Sequence, residues 1–244
     1  MAYHDLYIKW KSDKADNIKT SKVQEILYES EYQELVLNYS IRQRPFPNLP
    51  ENPMARIRLT VKSSFSQLLN DTEALAKYDL IAARPQNDAD FHYCCMTGEV
   101  DIISLKLQER FQFKLRLNLV QEAIKRGIMF EICYAFGLKD MNARRIFISN
   151  ACNLVKATKG RNIVISSGAK DLFDQRAPWD VINLGCVLGM NIDVAHNCIV
   201  TNAATALEHG KARKVFKSAV QVVDRDEFLV GNNPGVIPEP LRFS

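Results

Sequence analysis

Short β-branched runs alternate with helical stretches along most of this chain, and that rhythm narrows the available folds more than any other feature. Strand candidates occur at 3–8, 35–39, 56–61, 78–82, 100–105, 128–133 and 162–166. In the third of these, Ile57, Leu59 and Val61 alternate with Arg56, Arg58 and Thr60, the period of a half-buried strand. Helical patterns fill the intervals at 65–77, 117–126, 141–158 and 179–188, and Ile18, Val23, Ile26 and Leu27 give a looser helical spacing before the second strand. Strands separated by helices predict βα units and a mainly parallel sheet. No Gly-rich dinucleotide fingerprint follows the first strand, which favours a TIM-type (β/α) barrel over an open doubly wound sheet.

A chain of 244 residues, 47% hydrophobic and 25% charged, can bury one barrel-sized core without disulfides or metal. The reading is a single barrel domain over 1–225 and an extended tail over 226–244. Residues 42–53 carry Pro45, Pro47, Pro50 and Pro53, so they are not helical and are expected as an exposed loop between two strands. The six cysteines form no CxxC pair and lie mostly in apolar surroundings, as reduced buried thiols do. The first residues lack the basic and apolar regions of a signal peptide, and no apolar run is long enough to span a bilayer. The expectation is a soluble intracellular protein with no membrane partner.

Four histidines, His4, His92, His196 and His209, are few for a barrel phosphoesterase, which holds its metal ions with His and carboxylate clusters. His4 and Asp5 stand on the first strand, but position 6 is Leu, and Asp193 and His196 are separated by two residues. The chain has no GxSxG, Walker or HExxH motif. Ser166 and Ser167 follow a strand without a histidine close by in sequence. No catalytic residue, metal site or cofactor is assigned.

The net charge of +4 is unevenly placed. Residues 125–161 hold eight cations (Lys125, Arg126, Lys139, Arg144, Arg145, Lys156, Lys159, Arg161) against Glu131 and Asp140, a footprint suited to phosphates or to plain solvation. On the helix expected at 141–158, Ile148, Ala151, Cys152 and Val155 form an apolar stripe, while Arg145, Ser149, Asn153 and Lys156 share another face. Lys159 and Arg161 carry the charge beyond that helix, and Lys211, Arg213, Lys214 and Lys217 form a second basic cluster. Phe130 and Tyr134 read as strand packing rather than base-stacking platforms. Asp180 and Asn183 read as caps or braces of the helix after Pro178, with Arg176 as a partner for Asp180.

Several blocks resemble one family. They are 130–134 (FEICY), 144–151 (RRIFISNA), 158–169 (TKGRNIVISSGA), 177–185 (APWDVINLG), 201–204 (TNAA) and 208–214 (EHGKARK), with weaker likeness at 4–6 and 78–82. In order and spacing they are similar to the thirty-kilodalton protein subunit of ribonuclease P. The chain departs from that family at Trp179, where Tyr is common, and at Ala135-Phe136, where Ser-Pro is common. The resemblance implies a barrel of the polymerase-and-histidinol-phosphatase type depleted of its metal ligands. It also implies a non-catalytic RNA- and protein-binding role in ribonuclease P and ribonuclease MRP, in the nucleus and nucleolus. The implied partners are the catalytic RNA subunit, a small α/β protein subunit, other proteins of the two complexes and, indirectly, precursor tRNA. On that basis Arg144, Arg145, Ser149, Asn153, Lys156, Lys159, Arg161, Lys211, Arg213 and Lys214 are the residues expected to meet RNA or a partner. The competing readings are a metal-dependent phosphoesterase on the same barrel and an enzyme that uses the serines after the last strand.

Overall fold

In the seven apolar runs, alternate side chains face opposite sides of the backbone, and both sides are covered. A computed structural model of the protein describes residues 2–9, 30–49, 55–170 and 172–215. The strands are β1 (His4–Lys9), β2 (Glu34–Ile41), β3 (Arg56–Val61), β4 (Leu80–Ala83), β5 (Ile102–Ser104), β6 (Met129–Cys133) and β7 (Ile163–Ser166). They pair in sequence order and all in parallel. The segment after β7 returns to β1: Gly168 N donates to Tyr7 O at 2.8 Å, and Lys9 N to Ala169 O at 2.8 Å. These bonds close the sheet into a TIM-type barrel. The expected helical spacing at 18–27, Lys217 and the tail at 226–244 lie outside the described residues.

The helices are α1 (Phe65–Leu69), α2 (Thr72–Ala76), α3 (Asp88–Met96), α4 (Leu117–Lys125), α5 (Ala135–Leu138), α6 (Met141–Thr158), α7 (Pro178–Val187), α8 (Ile192–Ile199) and α9 (Thr201–Val215). The single helix expected at 65–77 is two, because Asp71 turns its carboxylate onto Ala74 N at 3.2 Å and starts a new helix. α7 begins on Ala177 with no side-chain cap, so Pro178 at its first position starts it, not Asp180 or Asn183. Asp180 is exposed in the first turn, and no pair with Arg176 forms. Of the Pro-rich loop, residues 50–53 lie outside the described residues, and 42–49 are less free than expected. It is exposed through Pro45, but Phe46 and Leu49 pack on the core, and Tyr78 Oη donates to Pro47 O at 3.4 Å. All six cysteines are free thiols, four of them buried.

Outward strand residues such as Ile57, Leu59, Ile81, Ile103, Phe130, Ile132 and Ile165 form the large core with the helices. Inward residues divide by height. At the N-terminal end of the strands, Leu6, Val36, Leu80, Ala82, Ile102, Met129 and Val164 fill the lumen, and Ala203, Ala206 and Leu207 of α9 close it from below. Above that layer the lumen is polar. Arg58 on β3 meets Glu131 on β6 through two hydrogen bonds, Nη1 to Oε1 at 2.5 Å and Nη2 to Oε2 at 2.8 Å. Both side chains are 0% exposed. Arg58 also donates to Leu6 O at 3.0 Å and lies over the Tyr7 ring at 4.7 Å. Burial opposes the charge of Glu131, but Arg58 outweighs burial, with Ser104 and Arg84 adding, and holds the carboxyl below the usual range.

Candidate nucleic-acid interface

α6 is built to turn one face outward. Asp140 caps its start by accepting from Ala143 N at 2.9 Å. It stops where Lys159 takes the left-handed conformation (φ 56°) and Gly160 follows at φ 72°, with Gly160 N donating to Val155 O at 3.0 Å. The buried face is centred on Phe147, Ala151, Leu154 and Thr158. The stripe expected from sequence is thus rotated: Val155 is buried, while Ile148 and Cys152 only flank the core. Asn150 fixes the helix further by donating to Leu107 O at 2.9 Å and Glu109 O at 2.8 Å.

The opposite face carries Arg145, Ser149, Asn153 and Lys156, all exposed, as the sequence spacing requires. Lys159 continues the strip at the helix end. Within the described residues neither Arg145, Lys156 nor Lys159 makes an ion pair. Arg161 is exposed and gives one hydrogen bond to Gln121 Oε1 at 2.7 Å. Arg144 turns back to Leu138 O at 2.6 Å and braces the helix start. Five of the ten expected residues therefore form one open cationic strip, with Arg144 and Arg161 at its ends.

The second basic cluster has other employment. Asp101, 0% exposed and just ahead of β5, accepts from Ile81 N at 2.7 Å, from Arg213 Nε at 3.2 Å and from His209 Nδ1 at 2.7 Å. Lys214 pairs with Asp79 at 2.9 Å, and Asp79 also accepts from Ile57 N at 2.9 Å. Burial opposes the charge of Asp79, but the Ile57 amide and Lys214 outweigh it and hold the carboxyl below its usual range. Lys211 pairs with Glu208 one turn back on the surface. Arg213 and Lys214 thus fasten α9 beneath the barrel. Sequence reading missed Asp79 and Asp101, although each stands directly before a strand, where a helix closing the floor would need an acceptor.

His209 lies between two acceptors, the Asp101 carboxylate and Arg126 O, the latter 3.3 Å from Nε2. Only the doubly protonated ring satisfies both, so the hydrogen bond to Asp101, opposed by burial, raises its pKa above 6.5. A raised pKa in the folded state contributes stability that is complete below the unfolded value and fades as pH rises through the folded one. Melting temperatures of the native chain and of His209→Gln, compared from about pH 5.5 to 8.5, should differ most at the acid end and converge above neutrality. A constant difference would show that His209 stays in one protonation state throughout.

The residues weighed for catalysis are enclosed in the fold, and Ser166 Oγ is buried without a hydrogen-bond partner among the described residues. His4 is buried, with Nδ1 2.9 Å from Glu34 Oε2. Asp5 accepts from Tyr7 N, Ser167 N and Gln175 Nε2 at 3.2, 3.0 and 3.0 Å, while burial raises its pKa. Ser167 Oγ donates to Tyr7 O at 3.3 Å and so belongs to the barrel seam. Phe130 and Tyr134 are buried, as strand packing requires, and Tyr134 Oη accepts from Arg176 N at 2.9 Å. Among the described residues no three His, Cys, Asp or Glu side chains converge on a point that could hold a metal ion.

Fold and site together define a parallel α/β barrel that directs its charge outward along one helix. The family model of RNase P subunit p30 matches residues 2–215, and the chain belongs to that family. It is 38% identical over 195 residues to the Arabidopsis thaliana protein GAMETOPHYTE DEFECTIVE 1, covering 79% of this chain and 33% of that one. It is 33% identical over 148 residues to the mouse ribonuclease P protein subunit p30, covering 61% of this chain and 55% of the relative. With a probable ribonuclease P protein subunit 3 of Schizosaccharomyces pombe the identity is 30% over 225 residues, 86% and 94% of the two chains. The chain thus spans about a third of the plant relative, about half of the mouse one and nearly all of the yeast one. A chain from an archaeal ribonuclease P structure with mature tRNA superposes with a TM-score of 0.64 at 15% identity, covering 91% of this chain and 99% of that chain. That likeness supports the barrel fold.

Proposed function

We propose that this chain is a non-catalytic protein subunit of ribonuclease P, shared with ribonuclease MRP, that helps hold an RNA-based enzyme in the form that removes the 5′ leader of precursor tRNA. Family membership carries the reading, and the unpaired strip on α6 gives it a physical means. Cations without acidic partners, interleaved with Ser149 and Asn153, suit successive phosphates of an RNA backbone. The partners proposed are the catalytic RNA and other protein subunits, a small α/β one among them, and the residence proposed is the nucleus and nucleolus. The protein's share of the reaction is positional, because His4 is buried against Glu34 and Asp5 is buried and hydrogen-bonded within the fold.

Two outcomes test this. Purified protein without the RNA subunit should leave precursor tRNA intact; cleavage at the mature 5′ end that is lost on changing His4 or Asp5 would return the phosphoesterase reading. Arg145→Ala combined with Lys156→Ala should leave the melting temperature unchanged and weaken assembly with RNA. The salt dependence of binding should become shallower by about 1.4 in log–log slope if each cation meets one phosphate of a single strand, at about 0.7 per contact. An unchanged slope and affinity would leave this face as solvated surface.

A further inference from the structure

Beyond the strip on α6, a second group of cations gathers at the C-terminal mouth of the barrel. β1 ends on Lys9, Arg42 follows β2, Lys62 follows β3, Arg84 follows β4, and Lys106 stands two places after β5. The register makes the central three lateral neighbours. Ile41 pairs with Val61 and Val61 with Ala83, so the next position on each strand is Arg42, Lys62 and Arg84. Two backbone bonds hold that row, Lys62 N to Ile41 O at 2.9 Å and Arg84 N to Val61 O at 2.8 Å. Lys62 has the inward parity of Arg58 and Thr60, and Arg84 that of Leu80 and Ala82, so both stand over the lumen.

Little within the described residues neutralises this row. Arg42 and Lys62 make no side-chain hydrogen bond or ion pair there. Arg84 is 7% exposed, gives Nη2 to Ser104 Oγ at 2.8 Å, lies 5.6 Å over the Tyr7 ring, and keeps a buried Nε with no acceptor. Glu131, the buried carboxylate whose charge Arg84 also favours, is already held at both oxygens by Arg58. Lys106 has its own partner in Glu109 at 3.3 Å. Burial first, and then Arg84, Lys9, Arg42 and Lys106 in that order, push the Lys62 ammonium down to about 8. Like charges held this close repel, and an anion among them removes the penalty.

We propose that the mouth of the barrel, formed by Arg42, Lys62 and Arg84 with Lys9 and Lys106 beside them, is an oxyanion site that takes a phosphate of an RNA backbone. The donors fit that ligand class. A guanidinium fork and an ammonium offer many N–H groups and no acceptor, which suits phosphate oxygens and cannot read a base edge. The open C-terminal end of a parallel barrel is also where a ligand can reach side chains from several strands at once. The RNA part of the proposal rests on the ribonucleoprotein reading above; the oxyanion site does not.

The test uses the full chain and Arg42→Ala combined with Lys62→Ala, two rim positions outside the buried pair and outside α6. Inorganic phosphate should raise the melting temperature of the native protein more than chloride of equal ionic strength, and the variant should lose that excess. Without phosphate at low salt the variant should melt no lower than the native chain, since it sheds repulsion. Polyuridylate should bind the variant about tenfold more weakly, with a log–log salt slope shallower by about 1.4. Equal phosphate protection in both proteins would overturn the site. Loss of that protection with unchanged polyuridylate binding would overturn the RNA assignment in favour of a small phosphorylated ligand. If the tagged native chain still co-purifies with the ribonuclease P RNA while the mouth variant matches it in every readout, the mouth proposal alone fails. If phosphate protection is present but no such RNA is recovered, the ribonucleoprotein reading fails and the oxyanion site remains.

Discussion

Replacing Glu131 by alanine is expected to remove about 3–5 kcal/mol of folding stability, a large part of the roughly 5–15 kcal/mol that holds an ordinary domain. The cost comes from Arg58. Its guanidinium is 0% exposed and loses both of its carboxylate bonds at once, so a charge remains in the lumen without a counterion. Its other contacts are the Leu6 carbonyl and the Tyr7 ring, and neither carries a negative charge. Changing both members, Arg58→Met with Glu131→Leu, should recover most of the loss, because two apolar side chains need no solvation in that space. Full recovery is not expected, since Leu6 O loses the bond it accepts from Arg58. Urea denaturation of the three proteins measures this directly. A double variant as unstable as Glu131→Ala would show that the surrounding hydrogen bonds, and not the stranded charge, set the cost.

Gly210→Ala should be the next most damaging single change, and its sign opposes helix propensity. In an exposed helix interior, alanine stabilises by about 1 kcal/mol relative to glycine. Here an added Cβ would stand 2.1 Å from Asp79 O and 3.3 Å from Leu80 Cδ2. Asp79 lies in backbone that Ile57 and Lys214 hold in place, so the helix must yield instead. Lifting α9 stretches the contacts of His209 and Arg213 to Asp101 and uncovers Ala203, Ala206 and Leu207 under the lumen. The expected loss is about 3 kcal/mol, the upper end for overpacking against an unyielding neighbour. Faster amide exchange should appear across α9 and at the starts of β4 and β5. A variant as stable as the native chain would mean that α9 tolerates displacement from the floor.

The strand rhythm was a sound guide because burial on both faces leaves near-continuous apolar runs, and each of the seven runs became a strand. Helices were legible where an apolar stripe was clear, as in α4 and α6. α3, α5, α8 and α9 escaped for different reasons: α5 has only one turn, and α9 faces the lumen with alanines that carry little periodic signal. The strip on α6 followed from spacing alone, since among the described residues no acid pairs with Arg145 or Lys156. The cluster 211–214 misled because its partners, Asp79 and Asp101, are more than 100 residues away in sequence and meet it only in the folded barrel. The mouth was missed for a similar reason. One cation at or just past the end of each of five strands looks like scattered surface charge until the sheet curls and brings them to one rim.

The closure of the lumen from below also orders events during synthesis. β1 leaves the ribosome before the other six strands, yet the groups that seal it, Gly168 and Ala169 at its edge and α9 at its base, are made some 160 residues later or more. Until then β1 and the growing end of the sheet both present open backbone edges, and the lower lumen stands uncovered. A nascent chain that has passed β7 but not α9 holds all seven described strands and still lacks its floor. Contacts this distant in sequence favour slow, late commitment over stepwise growth, so the half-made barrel is the form in which this protein most needs shielding from other chains.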